Sequence, residues 1–276
     1  MSLLKSLVPL PLKQKIKTVH EALQRKRLFG SLAPLVPPVA LMYDGPPGLV
    51  EFKANGEEFL TIYRERCKLR PDERMLDIGC GTGRKTVPLT RYLDRNARYE
   101  GVDIAERGVE WCRARITPRF PNFRFQQIDV YNKLYNPQGT HSAARYRFPF
   151  PDSSFSFIVL GSVFTHMLPD DLENYLREVS RMLEPGGRCM ISYFLLNEES
   201  LRHTAMGKGA LDFKYEFDGY RAVSTDVPEE AIAFEEAWVI GLYEKLGLRI
   251  LHLDYGSWCG RDHYLSYQDL VLAVKE

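Results

Sequence analysis

The run Met75-Leu76-Asp77-Ile78 leads straight into Gly79-Cys80-Gly81-Thr82-Gly83 and then into a helix-forming stretch. A short apolar strand, a turn bare of side chains at three of five positions, and a helix form the first half of a βαβ unit. The pattern then repeats. Lys85–Asp94 reads as helix, Tyr99–Val102 as strand ending at Asp103, and Gly108–Ile116 as helix. Phe123–Ile128 reads as strand ending at Asp129, and Phe157–Leu160 as strand ending at Gly161. Pro169–Leu183 reads as a helix stopped by Pro185-Gly186-Gly187, and Arg188–Phe194 as a fifth strand. Alternating strand and helix implies a parallel sheet with helices on both faces. Arg249–Asp254 and Asp269–Val274 are expected to close it as an antiparallel pair. The predicted class is α/β, a Rossmann-like doubly wound sheet of seven strands, mostly parallel with one antiparallel strand near the C-terminus.

In such sheets ligands sit beyond the carboxyl ends of the strands. Asp77, Asp103, Asp129 and Ser162 all fall at or next to such ends. The glycine loop lets backbone N–H groups approach a ligand closely, some of them in a helix's first turn, where negative charge is favoured. Asp103 follows Gly83 by about 20 residues, the spacing at which an acid meets a ribose diol.

A dinucleotide fingerprint would need a glycine at 84, where Arg84 stands. Asp77, just before the loop, would repel a pyrophosphate and suits an ammonium. A nucleoside with a cationic amino-acid tail fits better, and S-adenosylmethionine is that ligand.

Residues 74–194 resemble class I S-adenosylmethionine-dependent methyltransferases, a likeness carried by MLDIGCGTGR (75–84), GVDIAERGVEWC (101–112), FRFQQIDV (123–130), FPFPDSSFSFIVLGSVFTHM (148–167) and RMLEPGGRCMISYF (181–194). EFKANGEEF (51–59) and YGSWCGRDHYLSYQDLVLAVK (255–275) look like a bacterial small-molecule branch. The resemblance implies that Asp77 and the loop Gly79, Cys80, Gly81 and Gly83 hold the methionine part. Asp103 would bind the ribose, with Ile104 against the adenine. Asp129 would bond the adenine amino group with Val130 beside it, and Gly161 and Ser162 would line the methyl-transfer region. The product would be S-adenosylhomocysteine. The chain departs from the family pattern in having Ser156 where an Asp often opens strand four, and in an insertion, Tyr131–Tyr146, beside the adenine pocket.

A hydroxyl acceptor needs a base. His166, four residues past Ser162, is the candidate, set against a purely structural role for it. Residues 195–235 carry no clear strand and are expected to cap the substrate pocket or to cover the surface. Glu229–Leu246 reads as helix. Aromatic rings and an arginine can stack on ring faces and hold an anion, which makes Tyr193, Arg261 and Tyr267 the substrate-side candidates. No metal site is expected.

The 276 residues carry 37 Lys and Arg against 36 Asp and Glu, a net charge of +1. Nucleic acid is therefore not an expected partner, and no N-P-P-Y or D-P-P-Y stretch follows strand four. The acceptor is expected to be a small molecule, through an oxygen of a sugar, glycolipid or lipid-linked metabolite. A nucleic-acid methyltransferase and a non-catalytic S-adenosylmethionine-binding or membrane-docking protein stand as alternatives.

Charge is uneven along the chain. Residues 1–42 hold seven Lys and Arg against Glu21, a net of +6 that leaves −5 for the rest. Leu3, Leu4, Leu7 and Leu10 form one apolar face of this segment, and Ile16, Val19 and Leu23 a second. A basic amphipathic segment of this kind either packs on the domain or lies on an anionic bilayer. The division is thus a basic N-terminal segment, 1–42, and a methyltransferase domain, 43–276. Five scattered cysteines, with no C-x-x-C pair, fit a reduced, cytoplasmic protein. No secretory signal or membrane span is expected, so peripheral contact with the inner membrane surface is the one membrane association anticipated.

Overall fold

The computed structural model describes residues 10–276, with side chains from residue 14 onward. The first apolar face, Leu3 to Leu10, lies outside these described side chains. The chain runs through α1 (Leu10–Phe29), α2 (Leu49–Glu65), β1 (Arg74–Ile78), α3 (Thr86–Leu89), β2 (Arg98–Asp103), α4 (Glu106–Arg115), β3 (Phe123–Gln127), β4 (Phe155–Leu160), α5 (Pro169–Met182) and β5 (Leu183–Tyr193). It continues with β6 (Leu195–Leu196), α6 (Glu198–Ala205), β7 (Tyr215–Phe217), β8 (Tyr220–Ala222), β9 (Ile232–Glu235), α7 (Glu236–Lys245), β10 (Leu248–Asp254) and β11 (Asp269–Lys275).

Seven strands form one sheet in the order β10-β11-β5-β4-β1-β2-β3. β1 pairs in parallel with both β2 and β4, and β11 lies antiparallel between β5 and β10. The period of two along each strand divides the apolar side chains between two cores. Leu76, Ile78, Ile158 and Leu160 pack on one face, and Met75, Phe157 and Val159 on the other. Burial on both faces is why these strands read as continuous apolar runs.

The sequence reading fails in three places. Residues 195–235 do contain strands: β6, β9, β8 and β7 form a second, four-stranded sheet over a small core of Phe194, Phe213 and Trp258. Each of these strands is too short for its alternation to show. The helix expected from Glu229 begins only at Glu236, because β9 precedes it. The helix expected over 85–94 is a single turn, Thr86–Leu89. The departure at strand four has a structural outcome. Ser156 Oγ donates to buried Glu73 at 3.0 Å and accepts from Arg74 N at 3.1 Å, stitching β4 to the start of β1.

α1 is tied down along one side. Glu21 accepts the Val39 N–H at 3.1 Å, Arg25 donates to Val36 O at 3.1 Å, and Lys53 of α2 donates to Leu28 O at 2.8 Å. Ile16, Val19 and Leu23 point the other way and stay 57, 60 and 62% exposed. Among the described residues no helix is long and apolar enough to cross a membrane.

Candidate functional site

Gly79 and Gly81 both have positive φ, +83° and +54°, so the turn after β1 admits few other residues. A Cβ on Gly79 would run into Val163, and one on Gly81 would come to 2.6 Å from Asp44 Oδ2. The loop is fastened to β2: the N–H groups of Gly79 and Cys80 donate to Val102 O at 2.8 and 3.1 Å. Gly81 N donates to Asp103 Oδ2 at 2.7 Å, and Ala105 N to Asp103 Oδ1 at 2.8 Å. Each Asp103 oxygen keeps a further lone pair. Burial pushes the Asp103 carboxyl up to about 6, against the pull of the Ala105 and Gly81 N–H groups.

These elements open onto a cavity of about 460 Å³ at the carboxyl ends of the parallel strands. Gly79, Cys80, Gly81, Asp103, Ile104, Val130, Gly161, Ser162, His166 and Tyr267 line it, so the structure brings these sequence-derived residues together. Ile104, Ile128 and Val130 make an apolar slot beside Asp103. Ser162 adopts a left-handed φ of 63°, a strain of the kind that clusters at functional sites. It is held by two bonds, Ser162 N to Ser192 Oγ at 2.7 Å and Ser162 Oγ to Gln268 Oε1 at 2.9 Å.

His166 is held through its ring. Nδ1 lies 2.9 Å from the carbonyl oxygen of Glu229, and a carbonyl can only accept. Nδ1 therefore carries the proton and Nε2 is left with its lone pair. Burial lowers the imidazole's proton affinity, which favours the neutral ring. The Tyr135 ring meets it edge-on, with centroids 5.7 Å apart.

Five expected residues do not line the cavity. Asp77 is fully buried below the glycine loop; its Oδ2 accepts from Tyr99 at 2.7 Å and its Oδ1 has no partner. Gly83 turns into the helix packing, where a Cβ would press on Cys112. Asp129 is exposed, and the backbone N–H and hydroxyl of Thr140 hold its carboxylate and pull its pKa down. Thr140 belongs to the insertion, which thereby takes the acid away from the adenine slot. Tyr193 is a core residue whose hydroxyl meets that of Tyr243 at 2.9 Å. Arg261 is buried between Glu199, at 2.6 Å, and Asp269, at 3.2 Å, and so anchors the β10–β11 loop.

Other lining residues come from places where the sequence gives no signal. Tyr43 and Asp44 sit in what reads as a proline- and glycine-rich connection, yet they lie across the glycine loop. Thr82 Oγ1 donates to Asp44 Oδ1 at 2.6 Å, and the Arg107 guanidinium lies 4.3 Å from the Tyr43 ring centre. The buried Tyr43 hydroxyl has no partner. Tyr131 and Tyr135 reach in from the insertion, and Asp171 and Tyr175 from α5.

A bare backbone cradle, a buried carboxylate with spare acceptors, an apolar slot and an unpartnered tyrosine hydroxyl suit a ribose diol, a purine and a polar tail. A family model described as a methyltransferase domain matches residues 76–191. Over these residues the chain is similar to class I S-adenosylmethionine-dependent methyltransferases.

The chain is also similar to curated proteins. The chain is 33% identical over 128 residues to 27-O-demethylrifamycin SV methyltransferase of Amycolatopsis mediterranei, covering 46% of this chain and 41% of that one. It is 31% identical over 131 residues to a fatty-acid O-methyltransferase of Mycolicibacterium smegmatis, covering 48% and 39%. The chain thus spans less than half the length of these two relatives. The fold matches a Pyrococcus horikoshii protein with a TM-score of 0.56 at 17% identity, over 92% of this chain and 99% of that one. It also matches magnesium protoporphyrin IX methyltransferase from Synechocystis, solved with bound S-adenosylhomocysteine, with a TM-score of 0.52 at 14% identity, over 94% and 100%. S-adenosylmethionine is the cofactor of this methyltransferase family.

Proposed function

We propose that the protein transfers a methyl group to an oxygen of a small-molecule acceptor, a sugar, glycolipid or lipid-linked metabolite, with His166 as the base. The carrying observation is the free Nε2 of His166 in the cavity, its tautomer fixed by Glu229 O. When bound, S-adenosylmethionine supplies an electrophilic methyl carbon whose leaving group is a neutral thioether. Asp103 would accept from the ribose hydroxyls, with Ile104 and Val130 beside the base and the glycine loop receiving the tail. His166 Nε2 would take the proton of the acceptor hydroxyl, leaving that oxygen able to accept the methyl group. The remaining contribution is alignment and exclusion of water. Phe59, Tyr131, Tyr135 and Tyr267 give the cavity ring faces suited to a sugar or other flat acceptor.

The membrane-associated form of this reading is supported by α1. Its bonded side faces residues 36–39, so Ile16, Val19 and Leu23 are free on the opposite side, in a segment of net charge +6. Like charge opposes pairing this face with a second copy, whereas an anionic bilayer matches it. The relative named for fatty-acid O-methylation supports a lipid-bearing acceptor.

Methyl-labelled S-adenosylmethionine, incubated with the protein and an extract of its source cells split into lipid and aqueous fractions, tests the reading. Label in the lipid fraction supports a glycolipid or lipid-linked acceptor, and label in the aqueous fraction a soluble sugar metabolite. Cofactor binding with no label in either refutes methyl transfer to these classes.

A further inference from the structure

Three tyrosines of the cavity wall are also surface residues. Tyr131, Tyr135 and Tyr267 line the cavity, yet they are 48, 39 and 45% exposed. Their apolar surface does not stop at the mouth. Leu134, between the first two, is 46% exposed, and Tyr264 and Leu265, just before the third, are 60 and 40% exposed. These last three do not line the cavity. Single exposed apolar side chains are ordinary. Six on the two loops that frame one opening give that opening an apolar margin.

The sheet order sets the two loops on opposite sides of the cavity. The insertion follows β3, at one edge of the sheet, and the other loop returns from β10, at the far edge. β11 runs antiparallel and starts at Asp269 opposite Tyr193, the end of β5, so both loops meet the cavity at the same end of the sheet. Both are held. Asn132 Oδ1 accepts the N–H groups of Leu134 and Tyr135 at 3.0 Å each, and Lys133 Nζ donates to Asp226 O at 2.8 Å. Ser257 N and Trp258 N donate to Ser266 O and Tyr267 O at 3.1 and 3.0 Å, and Ser266 Oγ donates to Glu58 at 2.6 Å. A margin fixed in this way loses little entropy when an apolar ligand covers it.

The inner end of the same path is polar and carries no spare cation. The free Nε2 of His166 stands there, and Asp171 of α5 lines the cavity with it. Glu229 joins the two: its carbonyl oxygen holds His166, and its charge acts on Asp171. Of the cations that line the cavity, Arg84 lies 3.8 Å from the Asp44 carboxylate, and the Lys85 charge is set against buried Asp77. An anionic acceptor head would meet Asp171 with no uncommitted cation to offset it.

We propose that the acceptor is an uncharged amphiphile that enters head first, its hydroxyl-bearing head at His166 and its apolar tail between the two loops, against Leu134, Tyr264 and Leu265. This rests on the methyl-transfer reading above and narrows it, leaving out both tail-less sugars and anionic heads such as a fatty-acid carboxylate. The half-exposed rings of Tyr131, Tyr135 and Tyr267 bridge head and tail, each with an apolar body and a polar tip.

Alkyl β-glucosides, kept below their micelle concentrations, test this on protein saturated with S-adenosylhomocysteine, with binding read by calorimetry. Octyl glucoside should bind at least tenfold tighter than methyl glucoside, since each fully buried methylene is worth about fourfold in affinity. Leu134→Asp combined with Leu265→Asp should abolish that preference and leave the Kd for S-adenosylhomocysteine unchanged, because neither side chain lines the cavity. Octyl glucoside should also move the wild type's His166 ring resonances, identified by their loss in His166→Ala. Equal affinity for the two glucosides, a preference that survives the double substitution, or binding that leaves the His166 resonances in place each overturns the proposal. Should the double variant fail to fold, the wild-type affinities and resonances decide. A wild-type protein that binds S-adenosylhomocysteine but not octyl glucoside sinks the amphiphile alone. One that does not bind S-adenosylhomocysteine sinks the cofactor reading with it.

Discussion

Asp103 Oδ2 accepts the Gly81 N–H at 2.7 Å, so the end of β2 fixes the turn that follows β1, 22 residues earlier in the chain. The same carboxylate lines the cavity, so in the proposed reading one side chain both braces the glycine loop and accepts from the ribose.

That double duty has a pH signature. Burial raises the Asp103 carboxyl from the ordinary 3.8 to about 6, so the ligand-free fold favours the protonated acid and loses that stabilisation as pH rises from about 4 through about 6. Ribose hydroxyls donate to the ionised form. Affinity for S-adenosylhomocysteine should therefore fall about tenfold per pH unit below about 6, with proton release on binding. Calorimetry in buffers of different ionisation enthalpy reads both, and Asp103→Asn should flatten the profile.

His166 should separate chemistry from binding. His166→Ala is expected to lower kcat by roughly 10²–10⁴-fold and leave the Kd for S-adenosylhomocysteine unchanged. Because burial lowers the ring's proton affinity, the acid limb of kcat should lie below the ordinary histidine value of 6.5 and disappear in the variant. Unchanged turnover would reduce His166 to a structural tether for Glu229.

Arg261→Ala should act on stability and not on acceptor KM. It would strip a buried cation from Asp269, which also accepts from Gly256 N, Leu195 N and Trp258 Nε1, each at 2.7 Å. Breaking a buried pair costs about 3 kcal/mol or more, or roughly 6–12 °C in Tm. A raised KM with an unchanged Tm would restore Arg261 to the substrate side.

Replacing Ile16, Val19 and Leu23 together with Glu should abolish flotation with anionic vesicles and leave S-adenosylhomocysteine binding intact, because these side chains are mostly exposed and do not line the cavity. A wild-type protein that does not float with such vesicles contradicts the membrane contact.

The main sheet and half the site are legible because their signals are local. Strand, bare turn and helix are contiguous around Gly79, Asp103 ends a strand buried beyond its first residue, and Gly161 and Ser162 follow the largely apolar run of β4. What escapes depends on distant partners. Arg261 looks like a ligand-binding arginine until Glu199, 62 residues earlier, is seen beside it. Asp129 has the right position after β3, but Thr140 of the insertion claims its carboxylate. Tyr43 and Asp44 line the cavity because the chain folds back across the loop, and Pro46 and Pro47 beside them read only as a turn. Strands β6 to β9 have two to four residues each, fewer than an alternating pattern needs to show.

The most direct measurement is a titration of the purified protein with S-adenosylhomocysteine and, separately, with NAD, on the wild type and on Asp103→Ala. One S-adenosylhomocysteine per chain on the wild type, none on the variant, and no heat from NAD is the predicted result. Binding of NAD in place of S-adenosylhomocysteine, or S-adenosylhomocysteine binding indifferent to the loss of Asp103, would contradict the cofactor site described above.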